Sequence, residues 1–141
     1  MAMTSTTVWP CFRYRDARAA ITFLVDVLGF AEAAVYGDGD VVEHAELRWP
    51  EGGGVMLGSA SRVVPQAPLQ ARPDSAISDL PAGVGSAYVV TDHPDEIHDR
   101  VVAAGGVVVQ GLREEDYGSR GFTCRDPEGV LWSFGTYAGT Q

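Results

Sequence analysis

The sequence predicts an α+β fold built from two tandem βαβββ modules. Three observations carry this. A short β-type run, an Asp, a helical stretch and a Gly occur in that order twice; three further β-type runs follow each occurrence; Gly/Asp turns separate the runs. "FRYRDARAAITFLVDVLGF" begins the first half and "AYVVTDHPDEIHDRVVAAGG" the second, and Asp16 to Gly29 spans as many positions as Asp92 to Gly105. Two copies are too few for a solenoid, so they are expected to pack as one domain over 1–141.

Asp16 is placed to cap the first helix through its carboxylate. Ala17, Ala20, Ile21, Leu24, Val25 and Leu28 then recur at helical spacing, and Gly29 supplies a left-handed stop. Strands follow at 30–36, 41–49 and 55–59, parted by "GDGD" and "PEGGG". In the second half Asp92 or His93 caps the helix, and Pro94 is tolerated in its first turn. Ile97, Val101, Val102 and Ala104 form its apolar stripe, and strands follow at 107–112, 121–125 and 130–137. The modules thus cover 6–59 and 84–138. Between them, 60–83 carries Pro65, Pro68, Pro73 and Pro81, and is either a plain linker or a cover over a cleft.

Composition narrows the function. At 141 residues, 45% hydrophobic and 21% charged, the chain fits one soluble globular domain. It has neither an apolar run of spanning length nor a secretory leader, which places it in the cytoplasm with no membrane partner. Nineteen acidic residues against ten basic ones give a net charge of −9, which argues against nucleic acid and modestly favours cationic small molecules. Every basic residue is Arg, so lysine Schiff-base chemistry is excluded. Cys11 and Cys124 lack metal-type spacing and read as free, buried thiols.

Together with the repeat, "RYRDARAAITFLVDVLGF" and "DYGSRGFTCRDPEGVLWSFGTY" resemble the vicinal oxygen chelate superfamily. That group includes glyoxalases, extradiol dioxygenases, fosfomycin-resistance enzymes and bleomycin-resistance binding proteins. The resemblance covers the chain outside the Pro-rich segment. It implies U-shaped, partly open mixed sheets with helices on the outer face. In metal-dependent members four ligands, His or carboxylate, point into the cavity. Carried over by the motifs, those positions fall at Trp9, Met56, Gly85 and Ser133. Trp and Gly cannot ligate, Met is a poor donor to zinc or harder ions, and one hydroxyl is too little. The resemblance therefore implies the metal-free, bleomycin-resistance-like branch: no metal, no cofactor, and a homodimer whose modules combine around a small-molecule ligand.

Alternation places Trp9, Cys11 and Arg13 on the cavity face, with Phe12 and Tyr14 toward the helix. Ser133 and Gly135 are expected opposite Trp132 and Phe134, and Gly85 and Ala87 are also expected to face the cavity. Small residues there leave volume, while Trp9 and Met56 offer aromatic and adaptable apolar surface. Arg13, inward-facing, needs a partner from the protein or a ligand. His44 and Glu46 share a strand face, as a structural pair first and an acid–base pair second. Tyr117 suits the cavity rim. Arg120 pairs with an acid such as Asp116, or holds a ligand carboxylate. No nucleophile turn or phosphate loop is present. The expected function is sequestration of a bulky antibiotic or metabolite in a dimer cavity, with the negative charge favouring a cationic one. The alternatives are a lyase, isomerase or dioxygenase with a displaced or absent metal site, and a paralogue whose pocket serves regulation or partner binding.

Overall fold

The computed structural model describes residues 6–61 and 80–140. Most of the Pro-rich segment, and with it the choice between linker and cover, lies outside them. Module one comprises β1 (Cys11–Tyr14), α1 (Ala17–Phe23, continued by a π-helical turn Leu24–Leu28), β2 (Ala31–Asp38), β3 (Val41–Arg48) and β4 (Gly54–Ser59). Module two comprises β5 (Ser86–Val90), α2 (Pro94–Ala103), β6 (Val107–Glu114), β7 (Arg120–Arg125) and β8 (Leu131–Gly135). The sheets have matching orders, β1-β4-β3-β2 and β5-β8-β7-β6, with the first pair of each parallel and the others antiparallel. This is the α+β fold of two repeated βαβββ modules. No helix among the described residues is long and apolar enough to cross a membrane.

The helix caps form as their sequences dictate. Asp16 Oδ1 accepts from the Ala19 N–H at 3.0 Å, and Gly29 ends the π-helical turn at φ 101°, where only glycine is unstrained. Pro94 starts α2 behind His93, whose side chain makes no capping bond. Ile97 and Val101 form the buried stripe of α2. Val102 and Ala104, expected there, are exposed, since a short helix buries only the residues facing the sheet.

The equal spacing of the repeat conceals two offsets that cancel. The structural counterpart of Asp16 is His93, so module two's helix begins one residue late. Module one's helix regains that residue in its π turn, where the Gly29 N–H bonds the Leu24 carbonyl across five residues at 3.0 Å. Pairing Asp92 with Asp16 thus slips β5 by one residue, and in a strand one residue exchanges the faces.

One core serves both modules. Phe12 and Phe30 of module one lie 5.4 and 5.5 Å, ring to ring, from Trp132, and Trp49 lies 5.7 Å from Phe134. Trp132 and Tyr14 are fully buried, and each side chain of that kind contributes roughly 1.5–3 kcal/mol. Polar ties reinforce the junction with near two-fold symmetry. Glu128, in the β7–β8 turn, accepts from the Arg15 and Asp16 N–H groups at 2.7 and 2.8 Å. Glu51, in the β3–β4 turn, accepts from the Thr91 hydroxyl at 2.6 Å and the Asp92 N–H at 3.1 Å. Each Pro-Glu-Gly turn thereby secures the strand-to-helix corner of the other module. Each sheet keeps the face opposite its helix open.

Candidate functional site

Cross-strand register assembles module one's open face in rows. Cys11 stands opposite Met56, Met56 opposite Glu46, and Glu46 opposite Ala34. One row along, Arg13 stands opposite Gly58. Two glycines create this surface. A Cβ at Gly58 would lie 2.4 Å from Arg13 Nη1, and one at Gly54 would lie 2.7 Å from the Trp9 ring. Glycine at these positions lets the guanidinium and the indole lie flat against the sheet.

Trp9 sits just before β1, its indole N–H donating to the Thr6 carbonyl at 3.3 Å and the Arg48 guanidinium 5.1 Å from its ring centre. Part of the aromatic surface is therefore already covered by a protein cation. His44 Nε2 and Glu46 Oε2 are 2.9 Å apart, and the imidazole stacks on Tyr36 at 6.3 Å. Cys11 is exposed, contrary to expectation, with its thiol 3.5 Å from the Trp9 carbonyl. Cys124 is buried on the helix face, where burial and the nearby Asp126 push its thiol up to about 12.

Module two's open face carries a hollow of about 180 Å³ lined by its own residues, among them Tyr88, Gln110, Tyr117, Thr123, Ser133 and Gly135. The Ser133 and Thr123 hydroxyls bond each other at 2.8 Å, and the Tyr88 hydroxyl donates to the Tyr137 carbonyl at 2.7 Å. A Cβ on Gly135 would lie 2.6 Å from that Tyr88 oxygen. Tyr117 is exposed and packs edge-on against Tyr137 at 5.4 Å.

Three sequence-derived positions fall elsewhere. Ala87 pairs with Trp132 on the helix-covered face, whereas Tyr88 pairs with Ser133 on the open one; this is the one-residue slip described above. Gly85 precedes β5 at φ +134°, with a would-be Cβ 3.0 Å from the Phe12 ring, so it lies at the module junction. Arg120 shares the helix-side face of β7 with Phe122 and Cys124. It forms a two-pronged ion pair with Asp95 of α2 at 2.8 and 2.9 Å, rather than with Asp116. That pair holds the Asp95 carboxyl below its ordinary range. Sequence reading missed Tyr88, Gln110 and Thr123; correct alternation in β5 would have found Tyr88.

Residues 6–134 match the Glyoxalase/Bleomycin resistance protein/Dioxygenase superfamily. The chain belongs to that superfamily. Among solved structures this member is similar to TioX from Micromonospora sp. ML1, at 27% identity and a TM-score of 0.72, over 93% of this chain and 98% of that one. It also resembles a glyoxylase/bleomycin resistance protein/dioxygenase domain from Frankia sp. EAN1pec, at 18% identity and a TM-score of 0.64, over 94% and 98% of the two chains. UcmS2 aligns at 18% identity and a TM-score of 0.63, over 96% and 100%. The last two likenesses speak to the fold alone. No curated protein matches the chain.

The residues present do not fit the metal of the superfamily's metal-dependent members. Among the described residues no three His, Cys, Asp or Glu side chains converge on a point. On module two, Ser133 and Thr123 bond each other where the family places a ligand, and on module one Met56 separates Cys11 from Glu46. Thioether and neutral hydroxyl oxygens do not make a cage for zinc or a harder divalent ion.

Proposed function

We propose that this superfamily member is a metal-free small-molecule binding protein that sequesters a bulky, partly apolar guest. One observation carries the reading. Trp9, Cys11, Arg13 and Met56 are spread over a glycine-cleared open face, in place of a convergent set of ion ligands. Such a surface gives an organic guest stacking area, an adaptable apolar patch and a few polar handles.

A homodimer completes the proposal. Among the described residues, the hollow on module two is lined by module two, and the one bordered by Arg13, Val42, Glu43 and Ser59 by module one with the adjoining Ala60 and Ser61. Each is a half-site within the chain, because the modules spend their helix-covered faces on the shared core. A second copy laid against the first would enclose each open face and cover exposed Tyr36, Tyr88 and Val90.

The test is native mass spectrometry of protein purified from its own cells, with a thermal-shift panel of natural-product drugs and amphiphilic metabolites. A dimer carrying an organic adduct, and a compound that raises Tm in proportion to its concentration, are the expected results. A monomer whose Tm no compound moves would remove the reading.

A second reading, a lyase- or isomerase-type enzyme, draws on the His44–Glu46 pair. An imidazole held by a carboxylate on an open face is equipped to take a proton. Turnover lost in His44→Gln at unchanged Tm would favour it.

A further inference from the structure

Arg13 marks the polar end of the proposed site. Its guanidinium lies across Gly58 on the open face and makes one hydrogen bond among the described residues, a long one of 3.4 Å from Nη1 to the Ser59 carbonyl. The Nε–H is buried with no acceptor among the described residues. None of the ion pairs among the described residues includes it. Burial lowers its affinity for its own proton, and the nearby Cys11 thiol offsets part of that. The other arginines near the open faces are occupied. Arg48 covers Trp9, and Arg113 bonds Glu115.

A cation partly withdrawn from water, with donors to spare, costs free energy until an acceptor arrives. The free edge of the group is a planar fork, and the acceptor that matches a planar fork at two points is a planar oxyanion, above all a carboxylate. The chain's net charge of −9 favours cations at long range, but within the hollow the local donor decides. It borders a space of about 380 Å³ with Val41, Val42, Glu43 and Ser59, and Cys11 and Met56 stand one row away.

We infer that the guest is an organic carboxylate whose anionic group docks on Arg13, with its apolar body over Met56 and Cys11 toward Trp9. This rests on the binding reading above and specifies its ligand class. Glu46 is bonded to His44 at 2.9 Å, and Glu43, which borders the same space, forms no ion pair with Arg13 among the described residues.

Matched probes test it: 2-naphthoate and its neutral amide, 2-naphthamide, titrated into the whole protein by calorimetry. The Arg13 Nε–H resonance is followed in parallel and assigned by its loss in Arg13→Gln. The acid should bind about tenfold or more tightly than the amide, the usual worth of a charge-assisted hydrogen bond. It should also shift the Arg13 resonance. Arg13→Gln should erase the preference, bringing acid affinity down to that of the amide or below, and Arg13→Lys should restore part of it. Acid and amide bound equally would overturn the carboxylate proposal and leave the binding site standing. If Arg13→Gln abolished dimerisation but kept the preference, Arg13 would be an interface residue and the proposal would fail. Binding of neither probe would count against both readings.

Discussion

The Tyr14 hydroxyl donates to Asp126 Oδ2 at 2.6 Å, joining the last residue of β1 to the turn that launches β8. Asp126 is buried and also accepts from the backbone N–H groups of Glu128, Gly129 and Val130 at 3.0, 3.0 and 3.1 Å, and from the Trp132 indole at 3.1 Å. One carboxylate therefore shapes the Asp-Pro-Glu-Gly turn, orients the largest core side chain and ties module one to module two. Burial and the adjacent negative charge raise the Tyr14 phenol well above its ordinary range.

Tyr14→Phe should destabilise the fold by about 1–3 kcal/mol, the cost of leaving a buried charged acceptor one donor short. Urea denaturation measures it. Asp126→Ala should cost more, because it strips three backbone donors and the indole at once. Equal losses in the two variants would show that Tyr14 is the only partner that matters.

Glu51→Ala and Glu128→Ala should each cost about 1–2 kcal/mol, as the loss of a cap does. The two carboxylates share no partner, so the double variant should lose the sum of the single losses. Non-additivity in urea melts would mean that the two corners are coupled through the shared core.

Thiol reagents should label Cys11 in the native protein and reach Cys124 only through unfolding. The pH dependence follows from burial. The folded-state value for Cys124, about 12, lies above its unfolded value near 9. Its contribution to stability is therefore complete below about pH 9 and is lost as pH rises toward 12. Cys124→Ala should remove the part of the alkaline limb that begins near pH 9, leaving the part above pH 10 that the raised Tyr14 phenol contributes. An unchanged limb would assign it to another group.

Gly58→Val should leave the fold within about 1–3 kcal/mol of the parent, since the nearest atom it meets is the far end of an arginine, although the Glu43 backbone carbonyl, 3.0 Å away, must also give slightly. It should nonetheless displace Arg13 from the open face and abolish binding of any compound found by the thermal-shift panel. Full binding in Gly58→Val would show that the guest does not use this face.

Local sequence alone settles the repeat, the βαβββ order, the helix cap at Asp16, the glycine stop at Gly29 and the inward set Phe12, Tyr14, Trp132 and Phe134. Each rests on a local rule: a period of two or 3.6, or a residue's own backbone freedom. It also paired His44 with Glu46, because residues two apart on a strand share a face. Only the tertiary structure decided what depends on a one-residue count or on distant partners. A π turn in one helix and a late start in the other left the repeat spacing equal while exchanging the faces of β5, so Tyr88 took the place expected for Ala87. Arg120 was claimed by Asp95 across the helix–sheet interface, a contact that no local pattern announces. Arg13 was left with one long hydrogen bond, to the Ser59 carbonyl, and no carboxylate partner among the described residues, which only the packing of distant strands could set.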